Sequence, residues 1–156
     1  MTNLLYDSFE LSKTLVMQLG VANSFFLLCL CLLAARLIAC ERLIRAYRAC
    51  RNEVKLMMLS KAASPILLRL AWSDAGTYDC MVKGWPECGG VNGSILFDSE
   101  MYFKGNAGLS KAAALLAPVK KRYPQVSWAD LIQMAGVLAI EITGGPIIRI
   151  PYGRCD

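Results

Sequence analysis

The sequence predicts an all-α protein in which one transmembrane helix precedes a helical domain. Three observations lead to this prediction. A run of 22 uncharged residues, 14–35, lies near the amino terminus, and apolar residues recur at helical spacing through much of the remainder. No stretch alternates apolar and polar residues as a half-buried strand would, so β content should be minimal.

Residues 14–35 match the length of a membrane span. As a helix they would extend about 33 Å, against roughly 30 Å of bilayer hydrocarbon. A signal peptide is disfavoured because residues 1–13, a short tail, hold Asp7, Glu10 and Lys13 rather than a basic cluster. A buried core helix is the remaining alternative.

Positive charge follows the predicted span. Residues 36–61 contain seven basic and two acidic side chains, a balance of +5, whereas residues 1–35 sum to −1 and residues 62–156 to +1. By the positive-inside rule, the carboxyl-terminal domain should face the mitochondrial matrix, the chloroplast stroma or the cytosol. A nucleic-acid-binding arm is the alternative, but a basic amphipathic helix over 36–60 beside a membrane fits better, and no nucleic-acid partner is expected.

The predicted domain, residues 61–156, contains three further helices. Ser64-Pro65 should cap a helix that ends near Gly76, and a glycine-rich connection follows as far as Gly108. Residues 109–122 should form a helix interrupted by Pro118. The segment 127–130, Ser-Trp-Ala-Asp, predicts a capping box that opens a last helix, ending near Thr143, whose apolar residues on almost every face place it at the centre of the domain.

The absence of histidine restricts the chemistry. With no His among 156 residues, this chain offers no Ser-His or Cys-His catalytic pair and no His-bound metal. The seven cysteines lack paired Cys-x-x-Cys spacing, and an odd number fits a reducing compartment better than a disulfide framework. Ordinary free thiols, and no metal site, are therefore expected.

Four stretches resemble class I haem peroxidases, the family of ascorbate and cytochrome c peroxidases. They are SPILLRLAWSDAGTYD at 64–79, GGVNGSILFDSE at 89–100, GNAGLSKAAALLAPVKKRYPQVSWADL at 105–131 and AIEITGGPIIRIPYGRCD at 139–156. The resemblance covers about residues 41–156. It implies the distal, amino-terminal lobe of an all-helical fold, in which haem lies against a second lobe that this sequence does not contain.

The resemblance also implies a degenerate distal site. Arg69 matches the distal arginine and Trp72 the distal aromatic residue, while Glu100 and Asn106 match the acid and amide that orient the distal histidine. Ser73 stands where that histidine is expected, and a serine hydroxyl is no base near neutral pH. We therefore predict no functional catalytic residue, no enzymatic activity, no bound haem or other cofactor, and no small-molecule substrate.

These expectations favour a non-catalytic, membrane-anchored accessory subunit of a large organellar complex. The predicted partners are the other subunits and the lipid bilayer. A respiratory complex of the mitochondrial inner membrane is favoured, and a thylakoid photosystem is the alternative. A haem peroxidase split between two chains is a second alternative, and a sensor that uses exposed cysteines is a third.

Overall fold

The computed structural model describes the backbone of residues 2–156 and the side chains of residues 26–156. The prediction of an all-α fold is confirmed, because this part of the chain contains helices and no strand. The helices are α1 (Thr2–Lys61), α2 (Ser64–Ala75), α3 (Asp98–Met101), α4 (Leu109–Arg122) and α5 (Trp128–Ile142), and short 3-10 turns lie at Ser94–Leu96 and Lys104–Asn106. The chain divides into two compact units, Met1–Leu43 and Ile44–Asp156.

The predicted transmembrane helix at 14–35 is not found. Among the residues described, no helix is both long enough and apolar enough to cross a bilayer. Side chains 14–25 of the predicted span lie outside the described residues. The described remainder, 26–35, would be about 15 Å long, roughly half of the hydrocarbon thickness, before Arg36 ends the uncharged run.

The start of α2 differs from the prediction. The capping position is Ala63, which makes no side-chain cap, and Ser64 is instead the first helical residue and is buried. Ala62, with a φ of 49°, separates α1 from α2. The Ser64 hydroxyl therefore cannot cap the helix from outside, although Pro65 occupies the first turn, where its missing N–H costs little.

The predicted boundaries of the last two helices are close to those observed. Helix α4 runs continuously through Pro118, so the predicted interruption is wrong; a single proline removes one hydrogen bond and can be accommodated by bending. Helix α5 is capped as predicted, with the Ser127 hydroxyl accepting a hydrogen bond from the Asp130 N–H at 3.1 Å. The Asp130 carboxylate does not complete the capping box, because it binds other partners.

Helix α5 lies at the centre of unit 44–156, as its composition predicts. Nearly every side chain from Ala129 to Ala139 is buried, and α2 packs against it. The two helices are close at Gly136, where an added Cβ would lie 2.5 Å from the Ala71 side chain. This packing fixes which face of α2 is buried against α5 and which face is left uncovered.

Candidate functional site

The uncovered face of α2 carries an apolar stripe with one cation in it. Pro65, Leu68, Arg69 and Trp72 are exposed and recur at helical spacing, and Trp72 keeps 78% of its surface accessible. A shallow cavity of about 150 Å³ borders the stripe and is lined by side chains of α2 and α5, Leu68, Trp72 and Val137 among them. Large apolar side chains left together at a surface are typical of a binding site.

Arg69 is held by the loop that precedes α4. Its Nη2 donates to the Gly105 carbonyl oxygen at 2.7 Å, and its Nη1 donates to the Ala107 carbonyl oxygen at 3.2 Å. A guanidinium group has five N–H donors, so these two bonds orient it without using all of them. The side chain is thus a positioned, solvent-accessible cation beside Trp72.

Asn106 lies in the same loop and is also oriented by a hydrogen bond. Its Nδ2 donates to the main-chain carbonyl oxygen of Glu100 at 2.9 Å. The resemblance pairs Glu100 and Asn106 as the acid and the amide that orient a distal histidine. The bond between them in the structure uses the peptide group of residue 100, which any amino acid could provide.

Ser73 lies half-buried on α2, one residue after Trp72. Its hydroxyl can donate one hydrogen bond and accept others, but the chain contains no histidine that could remove its proton. The structure thus brings Arg69, Trp72 and Ser73 onto one helix, and Arg69 links that helix to the loop of Asn106. The Glu100 carboxylate is not part of this set of bonds.

Asp74 is a residue that the sequence reasoning missed. It is fully buried, and neither carboxylate oxygen has a hydrogen-bond partner of normal geometry. Burial raises the pKa of Asp74 to about 6, and the nearby backbone N–H groups of Ile95 and Gly93 only partly oppose this effect. The helical spacing could have revealed it, since Leu67, Leu70 and Asp74 fall on one buried face.

Asp130 is a second missed residue, and its environment is the opposite. Its buried carboxylate accepts hydrogen bonds from the Tyr47 hydroxyl at 2.7 Å, from the Gly153 N–H at 2.6 Å and from the Arg154 guanidinium at 3.0 Å. Burial alone would raise the pKa of Asp130, but the hydrogen bonds from Gly153, Tyr47 and Arg154 outweigh it and lower that pKa. Its partners are 83, 23 and 24 residues away in sequence, so no local sequence motif predicts these hydrogen bonds.

We tested whether these residues fit a bound metal or haem. Within the described part of the chain, no cluster of three or more His, Cys, Asp and Glu side chains could hold a metal ion. All seven cysteines are free thiols, and burial raises the pKa of Cys50 to about 11. The exposed stripe of α2 fits one face of a flat, apolar macrocycle, but it offers no ligand for an iron atom.

Comparison with known proteins identifies the family. The model of the peroxidase family matches residues 49–156. The chain belongs to the peroxidase family. The resemblance inferred from the sequence motifs is thereby confirmed.

Plant ascorbate peroxidases are among its relatives. The chain is 48% identical over 109 residues to probable L-ascorbate peroxidase 5, chloroplastic, of Oryza sativa subsp. japonica, which covers 70% of this chain and 34% of the relative. It is 49% identical over 106 residues to L-ascorbate peroxidase 5, peroxisomal, of Arabidopsis thaliana, covering 68% and 37%. It is 46% identical over 123 residues to probable L-ascorbate peroxidase 3, peroxisomal, of Oryza sativa subsp. japonica, covering 79% and 40%. The chain thus spans well under half the length of these peroxidases.

Two sequence-based predictions are corrected by this comparison. The prediction that the chain is not an enzyme is wrong, because relatives that are 42–49% identical to it are named as peroxidases. The chain spans only part of each of these relatives. The prediction that no haem is involved is also wrong, because the peroxidase family points to haem. Both predictions took the residues missing from one chain as evidence about a whole site. An iron ligand can come from another polypeptide, so its absence here did not justify either conclusion.

Proposed function

We propose that this chain forms the distal wall of a haem site in an ascorbate-peroxidase-like protein, and that a second polypeptide provides the opposite wall. The observation that carries the proposal is the uncovered apolar stripe of α2 with Arg69 fixed inside it. An exposed patch of this kind is a liability unless another surface covers it. The 156 residues contain no histidine, so a histidine ligand of the iron would lie outside them, on the covering wall.

The residues of this chain would perform two tasks at such a site. Haem, when bound, supplies the iron at which a peroxide is split. Leu68 and Trp72 would exclude water from that face, and the Arg69 guanidinium would hold one peroxide oxygen by charge and hydrogen bonding. Ser73 can hydrogen-bond to the same molecule, but it cannot take a proton from it near neutral pH.

The rate of peroxide cleavage is expected to be low for this reason. A positioned base contributes about 10²–10⁴-fold to reactions of this type. Replacing Ser73 by His should therefore raise the rate of peroxide consumption by the native assembly by roughly two orders of magnitude or more. Ser110→His, an exposed serine of α4, is the matched control and should change nothing.

Two measurements on the assembly purified with its native partners test the proposal. The first is the absorption spectrum, where a Soret band in proportion to this chain supports a haem site. Arg69→Leu should shift the Soret maximum of the peroxide-treated or anion-bound assembly, because the distal cation is lost. An assembly without haem would refute the proposal, and so would a Soret band that is unaffected by changes at both Arg69 and Trp72.

A second candidate role, as an accessory subunit of an organellar membrane complex anchored through residues 14–35, is favoured by a different observation. Apolar side chains are exposed along 26–35, and basic residues follow. Other complex subunits would then be its partners. The relatives are named as chloroplastic or peroxisomal and none as mitochondrial, so a thylakoid complex, such as a photosystem, is favoured over a respiratory complex of the mitochondrial inner membrane. Co-migration with a complex on native gels would support this role, and recovery of the native protein only as a free chain would refute it.

A further inference from the structure

The helical segment 26–35 exposes apolar side chains in every direction. Phe26, Leu27 and Leu28 are 63%, 61% and 56% exposed, and Leu32 and Leu33 are 58% and 59% exposed. Consecutive residues of an α-helix point about 100° apart, so three neighbours cover nearly the whole circumference. Every side chain of the segment is exposed except that of Cys29, which is partly exposed.

The distribution of these side chains distinguishes lipid from a protein partner. A helix that docks in the groove of another protein presents one apolar stripe and keeps a polar face for water. Segment 26–35 has no polar face, because its ten residues include no charged, amide or hydroxyl side chain. A helix that is apolar on all sides is buried either in the core of a large protein or in a membrane, and the basic residues that follow this segment favour the membrane.

The residues that follow indicate the type of lipid. Arg36 and Arg42 are exposed on the same unit of the chain, and residues 36–61 carry a sequence charge of +5. Basic side chains next to a membrane-embedded helix interact favourably with anionic headgroups.

We propose that residues 26–35 lie in bilayer hydrocarbon and that Arg36 and Arg42 bind anionic lipid headgroups at its surface. The inference rests on the membrane-bound candidate role above and names the partner of this segment as anionic lipid. It does not depend on haem binding or on the α2 stripe.

The test is flotation of the purified full-length chain with vesicles of phosphatidylcholine, either alone or with added phosphatidylserine. The wild type should bind both, and it should bind the anionic vesicles more tightly at low salt than at high salt. Replacing Leu32 and Leu33 by Glu should weaken binding to both vesicles by at least about tenfold. Replacing Arg36 and Arg42 by Gln should weaken binding to the anionic vesicles alone, by about fivefold per arginine.

Matched variants outside the segment serve as controls. Leu56→Glu removes an exposed leucine elsewhere on α1, and the pair Lys111→Gln and Lys121→Gln removes two exposed charges of α4. Circular dichroism confirms that each variant keeps its helix content. The inference is overturned if the Leu32 and Leu33 variant floats like the wild type, or if both control variants lose as much binding as the test variants.

The same variants separate this inference from the membrane-complex role. If the Leu32 and Leu33 variant fails to bind vesicles, lipid contact by segment 26–35 is supported whatever complex is present. If the wild type binds no vesicle yet co-migrates with a complex on native gels, the lipid inference fails while the accessory role stands. If the wild type floats but never co-migrates with a complex, the accessory role fails and the lipid inference stands.

Discussion

Replacing Asp74 by Asn should stabilise this protein at neutral pH and have little effect in acid. The Asp74 carboxyl is fully buried without a hydrogen-bond partner of normal geometry, and burial raises its pKa from 3.8 to about 6 despite the nearby N–H groups of Ile95 and Gly93. Between these two values the native state binds more protons than the unfolded state. The free energy of unfolding must therefore fall as the pH rises through this interval.

The magnitude follows from the pKa difference. A shift of roughly two units costs about 3 kcal/mol of stability once the group is fully ionised, and only about 0.5 kcal/mol near pH 4. The difference in unfolding free energy between Asp74→Asn and the wild type should therefore grow by about 2.5 kcal/mol from pH 4 to pH 7.5. A change in packing or hydrogen bonding caused by the amide would add a constant offset, so the slope with pH is diagnostic.

Urea unfolding, followed by circular dichroism at several pH values, measures this difference. Glu87→Gln, which changes an exposed acid of the connecting loop, is the matched control for the loss of one carboxyl group. A pH-independent difference for Asp74→Asn would show that the pKa of the Asp74 carboxyl is the same in the native and unfolded states. A difference that shrinks as the pH rises would refute the reasoning outright.

Three further changes probe the packing and the buried carboxylate of α5. Gly136→Ala should lower the unfolding free energy by about 1–3 kcal/mol, because the new Cβ would lie 2.5 Å from the Ala71 side chain. Urea unfolding at pH 7 measures this loss, and an unchanged unfolding midpoint would contradict the close packing. Tyr47→Phe removes one hydrogen bond to a charged group and should cost about 1.5–3 kcal/mol in the same assay, whereas a cost near zero would contradict the 2.7 Å bond. The Asp130 carboxylate should stabilise the native state above pH 3.8, and this contribution should be lost as the pH falls through its lowered native-state pKa. In Asp130→Asn the unfolding free energy should therefore fall less steeply in acid than in the wild type. An unchanged dependence of the unfolding free energy on acidic pH would contradict this.

Much of the fold could be predicted because it depends on local patterns. The period of the apolar residues locates α4 and α5, and the Ser127 cap is formed by atoms three residues apart. The cap of α2 was misplaced because tertiary packing buries Ser64, and local sequence does not contain that information. The continuity of α4 through Pro118 likewise depends on tertiary packing, because Leu116 and Val119 on either side of the proline are buried.

The candidate site could be predicted in its residues but not in its bonds. Motif resemblance gave Arg69 and Asn106, and the structure adds that main-chain carbonyl oxygens hold both side chains. Such contacts do not constrain the side chain of the accepting residue, so the sequence does not reveal them. The predictions about activity and haem failed for a different reason, since they treated one wall of a site as the whole.

The carboxylate of Asp130 has a consequence for the order in which unit 44–156 folds. Its contact with Tyr47 joins residues 83 positions apart, and that closure is entropically expensive until intervening helices are in place. These bonds should therefore form after the transition state for folding. Weakening them would then accelerate unfolding while leaving the folding rate almost unchanged, so that Asp130 governs how long the native state persists rather than how fast it is reached.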